Sequence, residues 1–227
     1  MNETPRPLVL GLLGEKGCGK DTVAGILRTK YAFLTTSFGK RLYQEVAQAF
    51  PYADIPRLTE RDLKETPVEA LALRNCIDYD FIAVALAAED PSGASGMGAP
   101  RSLRWILQTY GTSYRRARQT DYWTRPVVEE DIGANPHAEH VVSDVRFFNE
   151  VDTLWQVSGL TVRIRADWLE DLSKDDLYAG HVSETQVAAV STEFTLLNRR
   201  GDLDGLTLQV DEMVRQARRR ILRSEAA

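Results

Sequence analysis

Leu8-Val9-Leu10-Gly11-Leu12-Leu13 runs directly into Gly14-Glu15-Lys16-Gly17-Cys18-Gly19-Lys20-Asp21-Thr22, and Val23, Ile26, Leu27 and Tyr31 follow at helical spacing. A near-continuous apolar run is what a strand buried on both faces of a parallel sheet requires. The turn after it is G-x-x-x-x-G-K between a strand and a helix, the context in which that pattern has a mechanism. Glycines let backbone N–H groups turn inward around phosphate oxygens, and the helix N-terminus adds partial positive charge. Gly14, Gly17, Cys18 and Gly19 therefore form the predicted cradle, with Cys18 a small filler and not a nucleophile. Lys20 can reach terminal phosphates as a point charge. The residue after the lysine is Asp21, where many such loops carry the Ser or Thr that ligates magnesium, and Thr22 comes next. Thr22 is expected on the α- or β-phosphate and Asp21 in the outer shell of a metal.

Working outward, Phe33 to Phe38 reads as a second strand and Arg41 to Phe50 as a second helix. His140-Val141-Val142-Ser143-Asp144 and Leu160-Thr161-Val162-Arg163-Ile164 are further strands with a helix between them, and Glu193 to Leu197 is the last. In the closing helix Leu203, Leu206, Val210, Met213, Val214, Ala217 and Ile221 share one face. Strands alternating with helices predict a three-layer α/β fold with a parallel sheet. Two stretches fit this rhythm poorly. Pro51 to Pro100 is helical but interrupted, with a mobile loop expected from Pro91 to Pro100, and Ala166 to Thr192 is dominated by charged and small residues.

The chain has 227 residues, enough for one sizeable domain with insertions. Its 28 Lys+Arg against 33 Asp+Glu give a net charge of −5, which argues against a nucleic-acid or anionic-membrane binder but leaves room for a local basic pocket. Two cysteines make no disulfide scaffold, so a reducing compartment is expected. The N-terminus does not read as a signal peptide, and the longest apolar run, Phe81 to Ala88, is far short of a membrane span, so a soluble cytoplasmic protein is expected. His137, His140 and His181 lack zinc-ligand spacing.

Asp144 ends an apolar strand as a metal-binding carboxylate would, and Arg146 follows at the sheet's carboxyl edge, where ligands of open α/β sheets bind. Ser143-Asp144-Val145-Arg146-Phe147-Phe148-Asn149-Glu150 resembles the S-D-V-R-F-x-N-E signature of bacteriophage deoxynucleoside monophosphate kinases, with Phe148 where Pro is expected. Matching blocks follow the same order: Phe38-Gly39-Lys40-Arg41-Leu42, Arg61-Asp62-Leu63-Lys64-Glu65, and Arg104-Trp105-Ile106-Leu107-Gln108-Thr109-Tyr110-Gly111-Thr112. Arg115-Arg116, Trp123 and His181-Val182-Ser183-Glu184 complete a resemblance that covers nearly the whole chain.

The resemblance implies one P-loop kinase domain over 1–227, with a helical acceptor-binding insertion at about 51–125 and a lid at about 166–192. It implies transfer of the γ-phosphoryl of ATP, with Mg²⁺, to a deoxynucleoside monophosphate. Lys20, Arg146 and Asp144 would be catalytic, and Asp144 with Asp21, through water, would hold the metal. Asn198 lies in the turn that would border the ATP adenine. On the acceptor side Lys40, Arg41, Lys64, Arg104, Arg116 and Arg146 would gather the phosphates, while Gln108, Tyr110 and Trp123 would meet the base and Glu150 the acceptor. Individually Arg41 and Arg115 read as solvated helix-face charges. A homodimer is implied by the resemblance alone; no nucleic acid or membrane partner is expected. A phosphate acceptor needs cationic cover and no dedicated general base. The alternatives are a kinase of another acceptor (dephospho-coenzyme A, or a modified base in phage DNA) and a nucleotide-binding regulator without catalysis.

Overall fold

The computed structural model describes residues 6–60, 62–170 and 189–225. In chain order the elements are β1 (Val9–Leu13), α1 (Lys20–Tyr31), β2 (Leu34–Thr36), α2 (Gly39–Ala49), α3 (Ile55–Leu58), β3 (Pro67–Val68), α4 (Tyr79–Ala87), β4 (Arg101–Ser102) and α5 (Leu103–Gln108). Then come α6 (Thr124–Pro126), β5 (His140–Val142), α7 (Phe148–Gln156), β6 (Leu160–Ala166), α8 (Asp167–Glu170), β7 (Phe194–Asn198) and α9 (Leu203–Glu225). α5 and α6 each run on as π-helix, over Thr109–Arg116 and Val127–Ile132. Two compact units result, one made of the residues up to Phe38 and from Thr124 onward, the other of Gly39–Trp123.

The first unit is a five-stranded parallel sheet in the order β2-β5-β1-β6-β7. Its centre is β1, in register with β5 through Leu10↔Val141 and with β6 through Leu12↔Val162. Side chains alternate across the sheet. Leu10 and Leu12 enter a core with Val23 and Leu27 of α1 and with Leu206, Val210, Met213 and Ala217 of α9. Val9 and Leu13 enter a second core with Val145 and with Val151 and Leu154 of α7. Helices thus cover both faces, the three-layer α/β arrangement. Each such leucine or valine contributes about 1.5–3 kcal/mol on full burial. Gly11 shares the α7 face of β1, where a Cβ would lie 2.2 Å from Leu154 Cδ1, so its missing side chain is the space α7 packs into.

The second strand is shorter than its sequence predicts. The Phe33 N–H still closes α1 by donating to Leu27 O at 3.3 Å, and the Phe38 N–H leaves the ladder for Asp144. Only Leu34–Thr36 pair with β5.

The second unit, Gly39–Trp123, encloses a core of Val46, Phe50, Leu71, Phe81, Ile106 and Tyr110. Asp78 starts α4 by accepting from Phe81 N–H at 3.0 Å, and Ser102 starts α5 by accepting from Trp105 N–H at 3.2 Å. β3 and β4 pair antiparallel, Pro67 against Ser102. The loop expected to be mobile, Pro91 to Pro100, is irregular but tied down. Arg74 N–H donates to Met97 O at 2.8 Å, and at the loop's base Arg101 and Asp90 form a buried ion pair at 3.5 Å.

Among the described residues no helix is long and apolar enough to cross a membrane. The predicted lid falls mostly on 171–188, outside the described residues, as does His181.

Candidate functional site

The loop from Gly14 to Gly19 joins the carboxyl end of β1 to the first turn of α1. Gly14 has φ 147° and Gly19 φ 102°, backbone states that side chains disfavour. Space forbids side chains there as well: a Cβ on Gly14 would meet Ile164 O at 2.4 Å, and one on Gly19 would meet Asn198 Nδ2 at 2.2 Å. The glycines thus let the loop lie directly against the ends of β6 and β7. Cys18 is 1% exposed beneath it, and burial pushes its thiol pKa up, which suits a filler and not a thiolate.

Lys20 opens α1 and folds back across the loop, with Nζ donating to Gly14 O at 2.7 Å and Glu15 O at 2.9 Å. Burial lowers its pKa, Arg146 lowers it further, and Cys18, Asp21 and Asp144 oppose the shift. Four predicted site residues, Lys20, Asp21, Asp144 and Arg146, therefore share one electrostatic neighbourhood. Asp144 follows β5, held by a hydrogen bond of 2.7 Å from Phe38 N–H to Oδ1. Ser143 N–H and Val145 N–H bind Thr36 O and Leu12 O on the two flanking strands, which seats this turn between β2 and β1.

Arg146 is exposed while its backbone is fixed. Its N–H and that of Phe147 donate to Glu150 Oε2 at 2.7 and 3.1 Å. Glu150 is 2% exposed, so it shapes the turn and does not meet an acceptor as the resemblance implied. Asn198, the last residue of β7, donates through Nδ2 to Cys18 O at 3.0 Å.

The residues fit a polyphosphate. The loop is a cradle that a Cβ would fill, and Lys20 is a partly desolvated cation that an anion would stabilise. They also fit a hard divalent cation of the magnesium kind. Among the described residues no group of three His, Cys, Asp or Glu could hold a metal alone. Such an ion at Asp144 and Asp21 would complete its shell with phosphate oxygens and water, as Mg²⁺ commonly does.

The acceptor-side candidates lie in the Gly39–Trp123 unit. Lys64 and Arg104 are brought together: Arg104 N–H donates to Lys64 O at 2.9 Å, Arg104 Nε pairs with Glu65 at 3.0 Å, and Lys64 Nζ meets the Tyr43 hydroxyl. Arg41 pairs with Glu45 at 3.3 Å. Lys40 is exposed near the start of α2, and Gln108 and Arg116 are half-buried at the ends of α5 and of its π extension. Trp123 corrects the expectation of base contact. It is 3% exposed, its indole N–H donates to Gly111 O at 3.0 Å and Tyr122 packs on it, so the ring belongs to the core.

A network around Arg115 escaped the sequence reading. Arg115 pairs with Glu45 at 2.9 Å, donates to the Tyr110 hydroxyl at 3.1 Å and lies over the rings of Tyr110, Tyr114 and Tyr122. Both Tyr110 and Tyr114 donate to Asp78, at 2.8 and 3.1 Å. Burial alone would raise the Asp78 carboxyl, but the Phe81 N–H, the two hydroxyls and Arg115 outweigh it and hold the pKa below its ordinary value. No sequence pattern announced it: Tyr110 and Arg115, five residues apart, are set together by the i→i+5 bonding of a π-helix.

Fold and site together define an α/β protein with a tight glycine-rich loop at the carboxyl edge of a parallel sheet. No known family profile matches the chain. Over 200 residues it is 26% identical to a protein of Acanthamoeba polyphaga mimivirus named "Putative deoxynucleotide monophosphate kinase", an alignment spanning 85% of this chain and 89% of that one. The crystal structure of TT1252 from Thermus thermophilus aligns over 92% of this chain and 97% of that one, with a TM-score of 0.43 and 16% identity.

Proposed function

We propose that this chain transfers the γ-phosphoryl group of ATP to a deoxynucleoside 5′-monophosphate, giving ADP and the deoxynucleoside diphosphate. The observation that carries this reading is the glycine loop between β1 and α1, too tight for side chains at Gly14 and Gly19, with Lys20 folded across it. Similarity to the mimivirus protein supports the choice of acceptor. The acceptor's phosphate oxygen is already anionic near neutral pH. It attacks the γ-phosphorus in line as the bond to the ADP oxygen breaks, and no side chain has to remove a proton.

What the protein supplies is cover for converging negative charge. The loop N–H groups cradle the β- and γ-phosphates. Lys20 exchanges its two carbonyl partners for phosphate oxygens, and Arg146, on a turn fixed by Glu150, meets the transferring group. Magnesium, when bound, supplies further positive charge to the phosphates, and Asp144 and Asp21 are the residues that would hold it. Lys40, Arg41, Lys64, Arg104 and Arg116 are the cations proposed to draw in the acceptor phosphate, with Gln108 at the base.

A coupled ADP-release assay across dGMP, dTMP, dCMP and dAMP tests the reading. Turnover with at least one is expected. Lys20→Ala should lower it by at least about a hundredfold without changing the circular dichroism or the melting curve. Retained turnover in that variant would overturn the assignment.

A further inference from the structure

Among the described residues β7 is an edge strand, paired only with β6. On its open side Gln209 of α9 takes the place of a neighbouring strand: Oε1 accepts from Leu197 N–H at 2.9 Å and Nε2 donates to Leu197 O at 2.9 Å. The strand end is thereby fixed, and the next residue, Asn198, is 9% exposed with its amide directed to Cys18 O. The same amide occupies the space that a side chain on Gly19 would need. Asn198 and Gly19 therefore interlock.

A trans peptide is planar, with its carbonyl and N–H on opposite sides. When the Cys18 carbonyl turns toward Asn198, the Gly19 N–H in the same peptide must point away from β7. Without a donor at position 198 this buried carbonyl would lose its partner, and the peptide could rotate to seek another. We infer that Asn198 is a positioning residue for the glycine loop: by holding the Cys18 carbonyl it aims the Gly19 N–H at the anion the loop binds. The inference rests on the reading of this loop as the ATP site. It gives the Asn198 side chain a task distinct from any contact with adenine.

Two probes separate these roles: ADP with magnesium, and inorganic tripolyphosphate, which has phosphates but no base. Binding of each is measured by calorimetry to the wild-type chain, to Asn198→Ala and to the near-isosteric Asn198→Asp, with melting curves for all three. Asn198→Ala should weaken both probes by a similar factor, about tenfold for a lost buried hydrogen bond, and should raise the KM for ATP while leaving the KM for the acceptor unchanged. Asn198→Asp should weaken both more, because a carboxylate cannot donate to the carbonyl and repels phosphate. If the alanine variant does not fold, the aspartate variant carries the test.

Loss of ADP affinity with unchanged tripolyphosphate affinity would mean adenine contact and overturn the inference. So would a fall in melting temperature with both affinities intact. A wild-type chain that binds neither probe would overturn the ATP reading and this inference with it. A wild-type chain that binds both, beside variants that bind equally well, would overturn the inference alone.

Discussion

Glu150 is a carboxylate with almost no exposure that accepts from two backbone N–H groups in the turn that carries Arg146. Truncating it leaves those donors without their acceptor, at about 1–3 kcal/mol. Glu150→Ala should therefore lower the melting temperature and, by loosening the turn under Arg146, slow phosphoryl transfer. Glu150→Gln keeps a carbonyl oxygen for the same N–H groups and should retain most of both. Melting curves and turnover of the two variants make the comparison. The sequence showed that Glu150 sits four residues after Arg146, but not that it faces the backbone, because the reach of a side chain is decided by how the turn folds. Trp123 was misread for the same reason. An aromatic at a motif-like position looks alike whether it faces a ligand or the core, and the bond from its indole N–H to Gly111 O decides for the core. The places of Lys20, Asp144 and Arg146 were legible because each follows a strand, and strand ends in a parallel sheet lie along one edge.

Among the elements, β1 and α9 were plain in the sequence. β1 shows as a near-continuous apolar run, and the 3.6-residue period of α9 repeats over enough residues to rise above accident. β3 and β4 have two residues each and no period, so their pairing was invisible. The packing of α7 on β1 gives a sharp test. Gly11→Val puts branched carbons where Leu154 Cδ1 now lies, and overpacking of this kind costs about 1–3 kcal/mol. The variant should melt earlier, and Leu154→Ala, which opens that space, should recover part of the loss when combined with it. The π winding after α5 was equally invisible, yet it sets Arg115 above Tyr110 and completes the network on Asp78. Asp78 has a folded pKa below its ordinary value, so its contribution is complete above the ordinary carboxylate pKa and is lost as pH falls through the folded one. Urea unfolding of wild type should weaken toward acid below about pH 4 with a steeper slope than Asp78→Asn. That variant should be less stable at neutral pH and closer to wild type in acid.

For the whole molecule, the net charge of −5 argued against a polyanion partner, and it says little about a single small anion. Lys20 and Arg146 stand near the carboxylates Asp21 and Asp144, opposite charges that offset one another at a distance. The layered α/β fold was legible because its strands alternate with helices from end to end. The Gly39–Trp123 unit was legible as a helix over Arg41 to Phe50 followed by an interruption of that rhythm, which the resemblance makes a helical insertion at about 51–125. Its core draws on Val46, Phe81 and Trp123, residues too far apart in the chain for any local pattern to join.

The contact between Gln209 and Leu197 also bears on how the sheet meets its surroundings. An open strand edge is a template on which another chain can build, and long bare edges promote aggregation. Here the outward N–H and C=O of Leu197, one residue short of the end of β7, are already answered by a side-chain amide, and the opposite edge strand, β2, has only three residues. A foreign strand approaching β7 would have to displace Gln209 before making its first bonds there. Among the described residues, one glutamine of α9 thus stands where a foreign strand would make its first bonds to β7.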